Sequence, residues 1–301
     1  MKNLRNQLIF GCLFLLTLIP LSTKALPPPS PAGGNYLVLD GVDDYAVLDF
    51  ETFGRPLPNG TKEFTFEAWV YPTTPPDNKE TSIILHQQMR MRVVNDEFQP
   101  YLNSLAKQLN IEPPKGDLIL LMNAYIDGKF GERLSFPIPL EPNQWHHIAY
   151  QSNGAQTTTI VNDFVWTLPL GDPLGHDKDP RAWRPLDFVL GGFGKRIEPP
   201  GQPPANKWFW GSFTGYIDEV RISTEARYEV NKKGLMPDDK FKNDAKTAAL
   251  WHFDEPGGTQ QFSDASGNAH HLIGKNGAQI GDALTVEPQG KLAITWGRLK
   301  Q

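Results

Sequence analysis

The sequence predicts an all-β sandwich of short antiparallel strands with one short inserted helix. Three observations carry that prediction. Short aromatic and β-branched runs recur along the chain, separated by Gly, Pro, Asn and Asp. One of them, FTFEAWVY at Phe64–Tyr71, alternates, placing Phe64, Phe66, Ala68 and Val70 on one face. Helical spacing stands out in one place, Glu97–Asn110, where Phe98, Tyr101, Leu102, Leu105 and Leu109 recur every three or four residues. Many strands, one helix and frequent turns fit two packed sheets.

The elements follow in chain order. Lys2 and Arg5 precede an apolar run from Leu8 to Leu21, and Ala25 offers a small residue for cleavage. Residues 1–25 therefore read as a secretory signal peptide, and the protein as secreted, periplasmic or surface-exposed. Loss of Lys2, Arg5 and Lys24 takes the 29 basic residues to 26 against 34 acidic ones, a formal charge of −8. That balance repels nucleic acid and anionic lipid, so neither is expected as a partner. Cys12 is the single cysteine and leaves with the signal, so no disulfide is expected. Residues 26–34, LPPPSPAGG, read as an exposed proline-rich spacer.

Tyr36–Leu39 and Tyr45–Phe50 flank an acidic turn at Asp40–Asp44. Trp145–Tyr150, Thr157–Val161, Leu186–Leu190 and Tyr216–Ile222 continue the strand series. The helix reads as a cover across a sheet edge, with Asn103, Lys107 and Gln108 outward and Pro113-Pro114 as its stop. The stretches 172–185 and 198–204 are proline-rich and read as long loops. Residues 281–301 read as a last strand or tail, to which no function attaches.

Four segments, in order, resemble the LamG-like jelly-roll domain of the concanavalin A-like lectin/glucanase superfamily. LVLDGVDDYAVL resembles its first turn and EFTFEAWVYP the long strand that follows. QWHHIAYQSNG with TTTIVNDFVW resembles the central hairpin, and GSFTGYIDEVRISTEARY the closing strand. The resemblance implies a two-sheet antiparallel jelly roll over 35–280. It also implies a module that binds carbohydrate or another extracellular ligand, often with calcium. The stretch 248–280 looks like the opening of such a domain, yet here it follows the closing strand. Thirty residues cannot build a core alone, so this stretch is expected to close the same domain by pairing Leu250–Phe253 with the Ile217–Ile222 region.

Catalytic readings find little support. Glucanases of this superfamily use a Glu-x-Asp-x-x-Glu strand, and no glutamate here has Asp two positions later. Asp218 and Glu219 are adjacent, which on a regular strand sends them to opposite faces. His146-His147 diverge in the same way, and His270-His271 lacks zinc-site spacing. The chain is therefore expected to be non-catalytic; the alternatives are an envelope or matrix protein making protein contacts, or a glycan hydrolase or lyase with an unrecognised site.

Calcium is the expected cofactor if there is one. Asp40, Asp43 and Asp44 supply hard oxygens on the turn, and Asp218 lies on the strand resembling the closing one. Either a metal joins Asp218 to the turn, or Asp218 accepts N–H bonds from it. The turn Asp264–Asn268 echoes a calcium loop but reads better as turn chemistry. For a ligand, Trp183 between Arg181 and Arg184 is the leading candidate, with Tyr101 on the helix. Trp208 and Trp210 share a strand face, while Trp69, Trp145 and Trp251 are assigned to the core.

Overall fold

In the computed structural model the chain forms two stacked sheets, antiparallel except for one strand pair. The structure describes residues 27–77, 80–126, 132–134, 136–169, 171–175, 186–198, 207–230 and 237–281. Residues 1–26, where a signal peptide is expected, residues 176–185 with Arg181, Trp183 and Arg184, and residues 282–301 lie outside the described residues.

The chain opens with β1 (Tyr36–Asp40), β2 (Tyr45–Leu48) and a single helical turn, α1 (Phe50–Phe53). Then come β3 (Glu63–Pro72), β4 (Glu80–His86), β5 (Met89–Val94), α2 (Gln99–Leu109) and β6 (Ile119–Tyr125). Next are β7 (Glu132–Leu134), β8 (Ile138–Pro139), β9 (His146–Asn153), β10 (Thr157–Val161) and β11 (Phe164–Leu168). After β12 (Phe188–Leu190) and β13 (Phe209–Ser212) runs the long β14 (Thr214–Ser223). The described residues end with β15 (Thr247–Trp251), β16 (Gln261–Phe262), β17 (Leu272–Lys275) and β18 (Gln279–Gly281).

The first sheet runs β11-β10-β9-β3-β14-β1-β18, and β15 shares the β14 edge with β1. The second runs β16-β17-β2-β12-β4-β5-β6-β7, with β13 on β4 and β8 on β6. Alternation in β3 places Phe64, Phe66, Ala68 and Val70 in the core between the sheets, as the sequence pattern requires. The tail enters both sheets. β15 pairs with β14 (Val220 opposite Trp251, Ile222 opposite Ala249), while β17 pairs with β2 and β18 with β1. Trp251 is fully buried and stacks on Phe188 of the opposite sheet, with ring centroids 5.2 Å apart.

Helix α2 covers the outer face of the second sheet. Leu102 and Leu105 pack on Val94, Ile119 and Leu121, and each such side chain contributes roughly 1.5–3 kcal/mol. Asn110, left-handed at φ 54°, closes it, its N–H reaching the Ala106 and Lys107 carbonyls.

Two expectations need correction here. Trp69 and Trp145 do not enter the central core. They sit on the outer face of the first sheet, Trp69 beside Phe241 and Trp145 against Tyr36 and Tyr71. The proline tract is not a free spacer either. Pro27 and Ser30 are buried, the Trp145 indole donates to the Pro28 carbonyl at 2.9 Å, and Asn35 Nδ2 donates to the Glu255 carbonyl. Proline's low chain entropy lets so short a segment dock as a strap.

Candidate functional site

The Asp40–Asp44 turn is tightly organised. The Asp40 carboxylate accepts from Val42 N at 2.7 Å, and the Asp44 carboxylate accepts from Asp40 N at 3.1 Å. The Asn276 amide donates to the Asp43 carbonyl at 2.7 Å, joining the turn to the tail beside β17. Gly41 adopts φ 81°, and a Cβ there would fall 1.8 Å from Thr214 Oγ1, so glycine is required. Oxygens of Asp40, Asp43 and Asp44 lie within 4.8 Å of one another. Burial raises the Asp44 pKa, and the Asp40 and Asp43 charges add to the shift, with backbone N–H bonds opposing it.

Asp218 does not meet that turn. Asp40 pairs with Thr214 and Leu37 with Ile217, so Asp218 lies at the far end of β1, roughly 13 Å along the strand. Its carboxylate accepts from Glu219 N at 2.8 Å, while Oδ2 has no partner among the described residues. Burial pushes its pKa well up, and the neighbouring Glu219 and Asp254 charges push the same way.

The expectation that Asp218 and Glu219 diverge also fails. The β14–β3 register shifts between Asp218 and Arg221, and Glu219 takes φ 50° at this bulge. Ile217 and Val220 both stay in the core, so the two acids both lie on the outer side. Glu219 accepts from Phe241 N at 2.8 Å and meets His252 Nδ1 at 2.7 Å. One inserted residue turns an alternating pair into adjacent buried acids.

The outer side of the first sheet holds a second buried polar cluster. Glu67 contacts His147 Nε2 at 3.3 Å, accepts from Arg221 Nε at 2.7 Å, and also accepts from the Tyr228 hydroxyl. Burial alone would raise the Glu67 pKa; the His147 and Arg221 contacts outweigh it and hold the carboxyl below its usual range. With Glu67 and His147 fully buried, this cluster ties the segment after β14 to the sheet. A groove of about 370 Å³ beside it is lined by Gln151, Asn153, Gln156, Thr158 and Tyr228. Its central amide is occupied: Gln151 donates to the Tyr228 carbonyl and accepts from its N–H.

The chemically richest surface is the outer face of the second sheet. Met89, Met91 and Val93 of β5 point into the core, so alternation sends Arg90 and Arg92 outward. Arg92 lies 5.9 Å from the Tyr101 ring centre and 5.8 Å from that of Trp208. Arg90 lies 4.9 Å from the Trp210 ring centre and donates to the Tyr125 hydroxyl at 3.4 Å. His86 Nε2 meets the same hydroxyl at 3.2 Å. Trp208 and Trp210 are neighbours at 6.4 Å, and Phe193 stacks on Trp210 at 5.5 Å. Asn123, directly across from Arg90 in β6, is fully buried, yet neither amide atom has a hydrogen-bond partner among the described residues. Tyr101, singled out from the sequence, stands at the rim with 36% exposure. Arg90, Arg92, His86 and Asn123 were not singled out. The alternating Met-Arg-Met-Arg of residues 89–92 was the available signal, a strand with one cationic face.

No protein-family model and no curated protein sequence matches the chain. Solved structures with similar architecture include a native heptameric SAP-like pentraxin from Limulus polyphemus, at 13% identity and TM-score 0.35 over 65% of this chain and 78% of that one. Mouse laminin α1 LG4-5 matches at 10% identity and TM-score 0.39 over 70% of this chain and 48% of that one. The enzymatically active domain of bacteriophage CBA120 tailspike protein 2 matches at 11% identity and TM-score 0.40, over 76% of this chain and 31% of the tailspike chain. The chain thus spans less than half of the laminin and tailspike structures. Likenesses this distant carry no argument about function, and the fold assignment rests on the two sheets themselves.

Proposed function

We propose that this protein is an extracellular, non-catalytic binding module of the LamG-like jelly-roll type, and that it recognises carbohydrate on the outer face of its second sheet. The observation that carries the reading is one sheet face that holds Arg92, 5.9 Å from the Tyr101 ring centre and 5.8 Å from that of Trp208, together with Arg90 and the Asn123 amide opposite it. Sugars present apolar ring faces that stack on aromatic side chains, and hydroxyls that pair with planar amide and guanidinium groups. A rigid sheet supplies those groups in one plane.

Calcium belongs to the same proposal, at Asp40, Asp43 and Asp44 rather than with Asp218. The donor set is all oxygen, as calcium prefers; burial raises the Asp44 pKa first, and the smaller repulsion from Asp40 and Asp43 that adds to it is what a divalent cation relieves. A glycan-array screen with and without chelator tests both parts. Binding by the native protein, lost in Trp208→Ala, is the expected result. Absence of binding in both conditions would replace this reading with that of a structural protein. A melting temperature unmoved by chelator and by added calcium would remove the metal.

A further inference from the structure

We infer that β11, the end strand of the first sheet, is a self-association surface. Two copies of the chain join their β11 strands antiparallel about a two-fold axis at Trp166, so that one sheet continues across the pair.

The ladder shows which backbone groups are on offer. Asn162 N donates to the His147 carbonyl at 2.9 Å, so the alternate residues Ile160 and Thr158 of β10 also bond towards β9. Val161, Thr159 and Thr157 then bond the other way, to Phe164, Trp166 and Leu168. The N–H and C=O groups of Val165 and Thr167 are left pointing away from the sheet, and no described strand lies beyond them. Sheet edges are ordinarily blunted by shortness, charge, proline or a bulge. The other sheet ends follow that rule: β18 has three residues, β16 two, and β7 three with Glu132 and Arg133 among them. β11 has five, Phe-Val-Trp-Thr-Leu, uncharged and in unbroken register with β10. Phe164, at its start, is 41% exposed.

The partner is a second copy because the strand is its own antiparallel complement. With Trp166 opposite Trp166, Val165 meets Thr167 and Phe164 meets Leu168. The outward residues Val165 and Thr167 become the hydrogen-bonded pairs, each exchanging both N–H···O bonds. The two Trp166 residues fall at the non-hydrogen-bonded position, where Cα atoms lie about 4.5 Å apart and aromatic pairs meet closely. Phe136 backs these rings, 5.2 Å from Trp166 and 5.5 Å from Phe164. No charge meets its own image: Asp163 in the β10–β11 turn faces Pro169 of the other copy, so the net charge of −5 per chain does not oppose contact here. Two five-residue edges make a small interface, which places the association at the weak, concentration-dependent end of the range.

The test is sedimentation velocity of the chain from residue 26 onward over rising protein concentration, and the expected result is a monomer–dimer equilibrium. Thr167→Pro removes an outward N–H and no bond of the β10 ladder, so this variant should keep its cooperative melt while its association weakens about tenfold or more. Two cysteine variants read the register. Cys12, the single cysteine, is absent from this chain, so any disulfide is the introduced one. Under mild oxidation Trp166→Cys should give a disulfide-linked dimer, because its mates meet on the axis. Phe164→Cys should not, although Phe164 is the more exposed, because its mates lie roughly 13 Å apart along the strands. Thermal melts establish that each variant folds, and Thr167→Pro decides alone if Trp166→Cys does not. A monomer at every concentration, a dimer unchanged in Thr167→Pro, or Phe164→Cys cross-linking as readily as Trp166→Cys overturns the proposal.

Discussion

Asp264 shows how much of this fold hangs on single polar side chains. Its buried carboxylate accepts from the N–H groups of Leu250, Ser266 and His270 and from the Ser266 hydroxyl, at 2.7–3.0 Å. Burial alone would raise its pKa; the four hydrogen bonds outweigh burial and hold it below the usual value. A depressed carboxylate stabilises the fold above its unfolded pKa, about 4, and loses that contribution as pH falls through the folded value. Asp264→Asn should therefore cost about 1.5–3 kcal/mol at pH 7, with the gap to the native protein closing on acidification. Urea melts at pH 7 and in the acid range below 4 check both halves. Glu219 makes the complementary case. Its left-handed backbone would suit glycine, but Glu219→Gly leaves Phe241 N and His252 without their acceptor. The two lost hydrogen bonds should outweigh the relieved strain, so this variant should melt below the native protein.

At the scale of elements, the tail after residue 246 is the least replaceable piece. β15 completes the β14 edge, and Trp251, Phe253, Phe262, Leu272 and Ile280 all enter the central core. Trp251→Ala should cost about 3–5 kcal/mol, read as a shift of the urea midpoint, and a chain ending at residue 246 should show no cooperative melt. Helix α2 matters for binding as much as for stability. Leu105→Ala should cost about 2–4 kcal/mol, and loosening the helix moves Tyr101 away from Arg92. Loss of glycan affinity in this variant, with Arg92 intact, would show that the helix sets the rim of the site. The helix was legible from its three-and-four spacing, and so was most of its buried side, Leu102 and Leu105, because these are local properties of a repeating backbone. Tyr101, read on that side, stands exposed at the rim, and Asn110, ahead of Pro113-Pro114, ends the helix. The surface it covers was not legible, since the spacing carries no information about which sheet lies beneath.

At the scale of the whole molecule, both outer faces of the sandwich are dressed, and the dressing differs in kind. The first sheet is covered by the proline strap, by Phe241 and by the segment that Gln151 and Glu67 hold through Tyr228. Removal of residues 27–34 should lower the melting temperature, because the buried Pro27 and Ser30 leave the sheet and the Trp145 indole loses its acceptor. The second sheet is covered by α2 and by aromatic rings around two arginines. Among the described residues no helix is long and apolar enough to cross a membrane.

The strand pattern by itself determined the class of fold, the inward face of β3 and the helix, because side-chain alternation is a property of one strand and needs no partner. It also showed that the acidic turn was built of turn residues, with Gly41 at its head. Tertiary structure alone decided where those acids lie relative to Asp218. The answer depends on the register of β1 against β14 and on one extra residue at Glu219, and register is chosen by how whole rows of side chains are buried. The same holds for the arginine face. Residues 89–92 announce a cationic side to a strand, but only the packing of α2, β6 and β13 around it brings Asn123, Tyr101 and Trp208 to the same place.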